Sequence, residues 1–214
     1  MSIKLEIINK TISLVAKRNS GKSVLLKYLV KQKRNKFDKI FVVCPTEIVN
    51  NFYADIVDEN CIFENWNEQW AEQLIKKMTD INKGKPEKER KQVLLILDDL
   101  VCDQNFTNSN ALKTLFVRSR HINIGIIFTT QYLYTVPPIV RNNCDYVLVG
   151  QMNQASKNIL ADEYLYGDLD KREFIKLYNR STIDYNFLVI NTSSVKDDDL
   201  NQIYGTIKTP EGYL

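Results

Sequence analysis

The sequence predicts an α/β fold: a mostly parallel central sheet covered by helices on both faces, making three layers. Three observations point to it. The runs "VLLIL" (Val93–Leu97) and "IGIIF" (Ile124–Phe128) do not alternate with polar residues, as suits strands buried on both faces. Strand-like runs alternate with stretches of helical apolar spacing along most of the chain. Finally, "AKRNSGKS" (Ala16–Ser23) lies between a β-branched strand and an apolar-periodic helix, where the phosphate-loop pattern G-x-x-x-x-G-K-[ST] belongs.

A length of 214 residues with 44% hydrophobic content supports one substantial core. The expected division is a single domain over 1–192 and a polar C-terminal tail over 193–214. A net charge of +3 is too small to identify a nucleic-acid partner, so any such contact requires a local basic patch. The cysteines, Cys44, Cys61, Cys102 and Cys144, form no C-x-x-C pair, which excludes a zinc ribbon or a dithiol redox motif. They are expected to be reduced, buried small hydrophobes of an intracellular protein. No signal peptide opens the chain and no apolar run approaches the roughly 18 residues of a membrane span, so a soluble protein is expected.

Taken in order, "KTISLVA" is the first strand, and Leu25, Leu26, Leu29 and Val30 follow at helical spacing with Lys31, Lys33 and Arg34 in the last turn. "KIFVVCPT" is a strand ending at Pro45, followed by the variable-looking segment "NFYADIVDENCIFEN". Trp66, Trp70, Leu74 and Met78 repeat every four residues as a helix face that packs on the core. "NKGKPEKERKQ" breaks that helix at Gly84 and Pro86 and carries five basic and two acidic residues, an exposed connector or a DNA-touching loop. The strand "VLLILDDL" is followed by a helix carrying Leu112, Leu115 and Phe116, then by "IGIIFTTQ" and "RNNCDYVLVG" as strands. Helical sequence from Gln154 to about Tyr178 precedes a last strand, "YNFLVIN".

In a phosphate loop the backbone N–H groups of Lys17 to Lys22 form an anion nest at the positive end of the following helix. Gly21 permits close approach, Lys22 reaches the β and γ phosphates, and the Ser23 hydroxyl ligates Mg2+. The nucleotide-binding set is Ala16, Lys17, Arg18, Asn19, Ser20, Gly21, Lys22, Ser23 and Val24. Ala16 stands where glycine usually opens the loop, which is tolerated if its φ is negative. Asp98 closes a buried strand at the sheet's carboxyl edge, where it can hold Mg2+ directly or through water. Asp99 supplies a second carboxylate to deprotonate an attacking water. Gln131 lies at the end of the strand expected beside the loop strand and the Asp98 strand, with its amide in reach of a γ-phosphate or that water.

These residues together resemble the FtsK/HerA superfamily of DNA-pumping ATPases, in particular its viral branch, the packaging ATPases of large double-stranded DNA viruses typified by poxviruses. The resemblance spans Lys10 to Gly150 and rests on "AKRNSGKS", "FVVCPT", "VLLILDDL", "RSRHINIGIIFTTQ" and "PPIVRNNCDYVLVG" in that order. It implies a RecA-like (ASCE) P-loop core, ATP hydrolysis with Mg2+, a homo-oligomeric ring, double-stranded DNA moved through its centre, and a capsid or vertex protein as partner. It also implies a viral setting, in the host's cytoplasmic virus factory or at the virion vertex. Asp99 departs from the glutamate common in FtsK-like members and is similar to the Asp-Asp of the viral branch. An FtsK-like membrane region and a HerA-like barrel are missing, so a bare motor is expected. The family's arginine finger, given by a neighbouring subunit, falls on Arg120, with Arg118 and Arg141 as alternatives. His121, the one histidine, is read as a packing residue.

The competing enzyme reading is a nucleotide or nucleoside kinase, opposed by the lack of an arginine-rich lid and by the Asp-Asp pair. A small GTPase needs N-K-x-D, and "INKG" (Ile81–Gly84) lacks the aspartate; a transporter ATPase needs L-S-G-G-Q, which is absent. A non-hydrolysing DNA- or capsid-binding scaffold is opposed by intact Lys22, Ser23, Asp98 and Asp99.

Overall fold

The computed structural model describes residues 3, 5–47, 51–100, 104–197 and 199–210. Eight strands form one sheet: β1 (Thr11–Val15), β2 (Lys39–Val43), β3 (Ile62–Phe63), β4 (Val93–Asp98), β5 (Ile124–Thr130), β6 (Tyr146–Val149), β7 (Asn186–Asn191) and β8 (Tyr204–Lys208). Their order across the sheet is β3-β2-β4-β5-β1-β6-β7-β8. The six strands from β3 to β6 in this order are parallel, and β7 and β8 add antiparallel pairs. Every residue of β1, β4 and β5 is buried, because helices cover both faces and no face is left to alternate with water.

The helices are α1 (Lys22–Lys33), α2 (Glu68–Asn82), α3 (Gln104–Asn108), α4 (Asn110–Arg118), α5 (Pro138–Arg141), α6 (Gln154–Glu163), α7 (Lys171–Ser181) and α8 (Leu200–Ile203). One face of the sheet, through Leu95, Leu97, Ile126 and Phe128, packs against Leu74 and Met78 of α2, Leu115 and Phe116 of α4, Leu160 of α6 and Phe174 of α7. The other face, through Leu14, Leu94, Ile96 and Ile127, packs against Leu25, Leu26 and Leu29 of α1. This is the three-layer α/β arrangement the sequence predicts.

Three local readings are refined. Trp66 is buried but precedes α2, whose first turn is capped by the Asn67 side chain accepting from Trp70 N–H at 2.9 Å. Trp70 packs its ring against Phe41 and Phe63, so the aromatic stripe is packing. The variable-looking segment after β2 supplies the fully buried Tyr53 and the core residues Ile56 and Val57.

The segment placed in a polar tail does not behave as one. β8 pairs with β7 from Asn186↔Lys208 to Ile190↔Tyr204, and the Tyr204 ring meets Phe174 at a centroid distance of 5.7 Å. An edge strand this short needs few apolar residues, since one row of hydrogen bonds and Tyr204 hold it; "YGTIK" therefore reads as polar. Just beyond it Thr209 is fully buried against the phosphate loop, and a Cβ on Gly21 would lie 2.8 Å from its Oγ1. Among the described residues that hydroxyl has no hydrogen-bond partner. Thr209→Val removes a buried unpaired polar group, typically about 1–3 kcal/mol, and is expected to raise the melting temperature. An unchanged or lower value would show the hydroxyl to be satisfied.

Among the described residues no helix is long and apolar enough to cross a membrane. Cys44, Cys61 and Cys144 are free and buried, and burial together with the nearby Asp98 carboxylate pushes the Cys44 thiol up to about 11. Cys102 lies outside the described residues.

Candidate nucleotide site

The loop between β1 and α1 has the geometry of an anion nest. Positive φ falls at Asn19 (57°) and Gly21 (81°), and not at Ala16, so the alanine is accommodated as expected. The Ala16 methyl is buried against Gly150, the residue that follows β6, where a Cβ would lie 2.9 Å from it; the neighbouring segment has the glycine that the loop lacks. Ala16 N–H donates to Thr130 O (3.2 Å), Lys17 N–H to Gln151 O (2.7 Å), and Ser20 Oγ to Lys17 O (2.6 Å). The first two tie the loop to the ends of β5 and β6, on either side of β1, and the third closes the loop on itself. α1 starts at Lys22, directly after the left-handed Gly21, so its unpaired N–H groups face the cavity rim.

A cavity of about 400 Å³ is lined by Lys17 to Val24, Thr46, Asp99 and Gln131. Gln131 donates its amide to the Asp99 carboxylate at 2.7 Å. Asp99 has φ 57°, a left-handed conformation that aspartate tolerates better than most residues, and its N–H donates to Thr129 Oγ1 at 3.1 Å. The kink turns Asp99 into the cavity, whereas Asp98 remains in the strand.

Asp98 is deeper. Its carboxylate accepts from Tyr53 Oη at 2.7 Å, from the Thr129 hydroxyl, and from Cys44 Sγ at 3.7 Å. Burial and the carboxylate raise the Tyr53 phenol well above its usual range, so it remains a proton donor. Sequence reasoning missed Tyr53, Thr129 and Thr46. Thr46 had a signal, its place at the carboxyl end of β2 in "CPT"; Tyr53 had none, because a surface loop and a core tyrosine read alike.

Arg120 is not brought to this cavity. It lies in the turn before β5, at the edge where the parallel strands begin, opposite the edge that carries the loop. Its Nη1 is 3.4 Å from Asp145 Oδ1 and its side chain is half-exposed. Arg141 grips Glu163 through Nε (2.8 Å) and Nη2 (2.6 Å) and Val136 O through Nη1 (2.6 Å), which engages all three of its guanidinium nitrogens within this chain.

Comparison with known proteins bears on the family and the fold. The model of the family described as Poxvirus A32 protein matches residues 4–206. The uncharacterized protein 075L of Invertebrate iridescent virus 6 is 31% identical over 186 residues, covering 86% of this chain and 70% of that protein. Among solved structures, the genome packaging NTPase B204 of Sulfolobus turreted icosahedral virus 2, bound to AMPPCP, superposes with a TM-score of 0.66 at 18% identity, covering 94% of this chain and 98% of B204. The conjugation coupling protein TcpA of pCW3, with ATPγS, gives a TM-score of 0.63 at 16% identity, covering 89% of this chain and 60% of TcpA. These two likenesses establish a shared fold.

Proposed function

The chain belongs to the Poxvirus A32 protein family, and from that membership and its site we propose that it is an ATP-hydrolysing motor that moves double-stranded DNA into a viral capsid. One observation carries the reading: a phosphate loop and an Asp99–Gln131 pair open into the same cavity. The loop N–H groups and Lys22 hold the β and γ phosphates. Asp99 takes the proton of an attacking water, and Gln131, fixed on Asp99, orients that water in line with the γ-phosphate. A hydroxyl and a carboxylate are hard oxygen donors suited to Mg2+; Ser23 and Asp98 would hold it, and it neutralises charge on the phosphates when bound. Both Asp98 oxygens already accept hydrogen bonds, which favours its acting through a water ligand.

In this reading Arg120 is the finger given to a neighbouring copy's site in a closed ring, which its half-exposed side chain and its position away from this chain's own cavity support. Arg118 is the remaining alternative, and Arg141 is a structural residue. Duplex DNA, a capsid or vertex protein, and action at the virus factory or vertex complete the proposal. The basic loop before β4 is the candidate DNA contact, with Lys83 and Lys88 exposed and Lys91 engaged by Asp38 at 2.7 Å.

Steady-state phosphate release with and without duplex DNA tests the proposal. A motor hydrolyses ATP and is stimulated by DNA of any sequence, less so as salt rises. A kinase transfers the γ-phosphoryl group to an acceptor and frees no inorganic phosphate, and a scaffold leaves ATP intact; either result overturns it. Replacing Lys83, Lys85 and Lys88 with glutamate, which leaves the Lys91–Asp38 pair intact, is expected to abolish DNA stimulation and preserve the basal rate. Full stimulation of that variant would make the loop a connector.

A further inference from the structure

A second cavity, of about 240 Å³, adjoins the first and shares Lys17, Asn19 and Ser20 with it. It is closed on its far side by Gln151, after β6, and by the turn Thr182–Asn186 that leads into β7. Strand order gives the pair of cavities a direction. Asp99 and Gln131 follow β4 and β5, on one side of β1; Gln151 and the turn adjoin β6 and β7, on the other. A triphosphate with its γ end at Asp99 and Gln131 and its middle in the loop must send its nucleoside toward β6 and β7. The second cavity lies there.

We propose that the turn Thr182–Asn186 is the nucleoside-binding end of the site, with the Tyr185 ring stacking on the base and the Asp184 carboxylate accepting from the ribose hydroxyls. This inference rests on the reading of the phosphate loop as a nucleotide site. Asp184 (φ 51°) and Tyr185 (φ 59°) are consecutive left-handed residues, a conformation a bulky aromatic rarely adopts. Such strain persists where surrounding contacts enforce it, and here Thr209 N–H, beyond β8, donates to Tyr185 O at 3.1 Å. Tyr185 is left 47% exposed, and the Asp184 carboxylate makes no hydrogen bond or ion pair among the described residues, its backbone carbonyl accepting from Asn186 Nδ2 at 3.4 Å. A flat ring face suits any base, and a carboxylate away from the phosphates suits vicinal hydroxyls. Phosphate contacts would belong to the loop alone.

Binding of Mg2+-ATP and of Mg2+-tripolyphosphate by the parent, Tyr185→Gly and Tyr185→Phe tests this. Glycine suits the left-handed backbone, so the variant loses the ring without added strain. Tyr185→Gly is expected to bind ATP about tenfold more weakly, the loss of one stacked base, with tripolyphosphate unchanged. Tyr185→Phe is expected to match the parent. Unchanged ATP binding by Tyr185→Gly overturns the inference, as does equal weakening of both ligands, which would make the turn a prop for the loop. A parent that binds tripolyphosphate as tightly as ATP overturns the nucleoside end and leaves the phosphate loop standing; one that binds neither overturns both.

Discussion

Lys22→Ala is expected to reduce ATP hydrolysis by at least on the order of a hundred- to a thousand-fold, the scale of losing one positioned donor to transition-state charge. Lys22 is the first residue of α1, is buried, and lines the cavity beside the loop, where the proposed reading has its ammonium meet the γ-phosphate. Truncation removes that charge and leaves the loop backbone, set by Asn19 and Gly21, unaltered. Phosphate release by the purified variant, with its melting curve as a folding control, is the measurement. A folded variant that turns over at the parent rate would remove Lys22 from the site. Asp98 is best probed as Asp98→Asn: Asp98→Ala would also leave the buried Tyr53 and Thr129 hydroxyls without their acceptor, costing about 1–3 kcal/mol of stability each and confusing the result.

Asp99→Asn is expected to bind ATP as the parent does and to lose turnover by about a hundred- to ten-thousand-fold, the usual contribution of a general base. Asparagine adopts the left-handed φ of 57° as readily as aspartate, and its side-chain oxygen still accepts from Gln131. The backbone and the Gln131 orientation are therefore kept, and only the basicity is removed. Nucleotide titration paired with single-turnover hydrolysis separates the two effects. If binding fell while turnover of the bound nucleotide persisted, Asp99 would be a nucleotide-holding residue and the base would lie elsewhere.

Features determined over a few consecutive residues were legible in the sequence. The loop Ala16–Ser23, the ending of β4 at Asp98, the ending of β5 to within one residue of Gln131, and the packing stripe of α2 follow from spacing and local backbone rules, because one turn or one strand is enough to express them. Alanine at position 16 was acceptable on condition of a negative φ, and the structure meets that condition. Tertiary structure alone decided which distant residues meet. Tyr53 reaches Asp98 across 45 positions, Thr209 closes on Gly21, and Arg141 is consumed by Glu163, and no periodicity encodes such pairs. The sheet's C-terminal edge was lost to sequence reading for a related reason: β8 is stabilised by hydrogen bonds to β7 that any residues but proline can make, so its composition carries little trace of its pairing. The position of Arg120 was likewise settled by topology, since parallel strands place every residue before a strand at the edge opposite the phosphates.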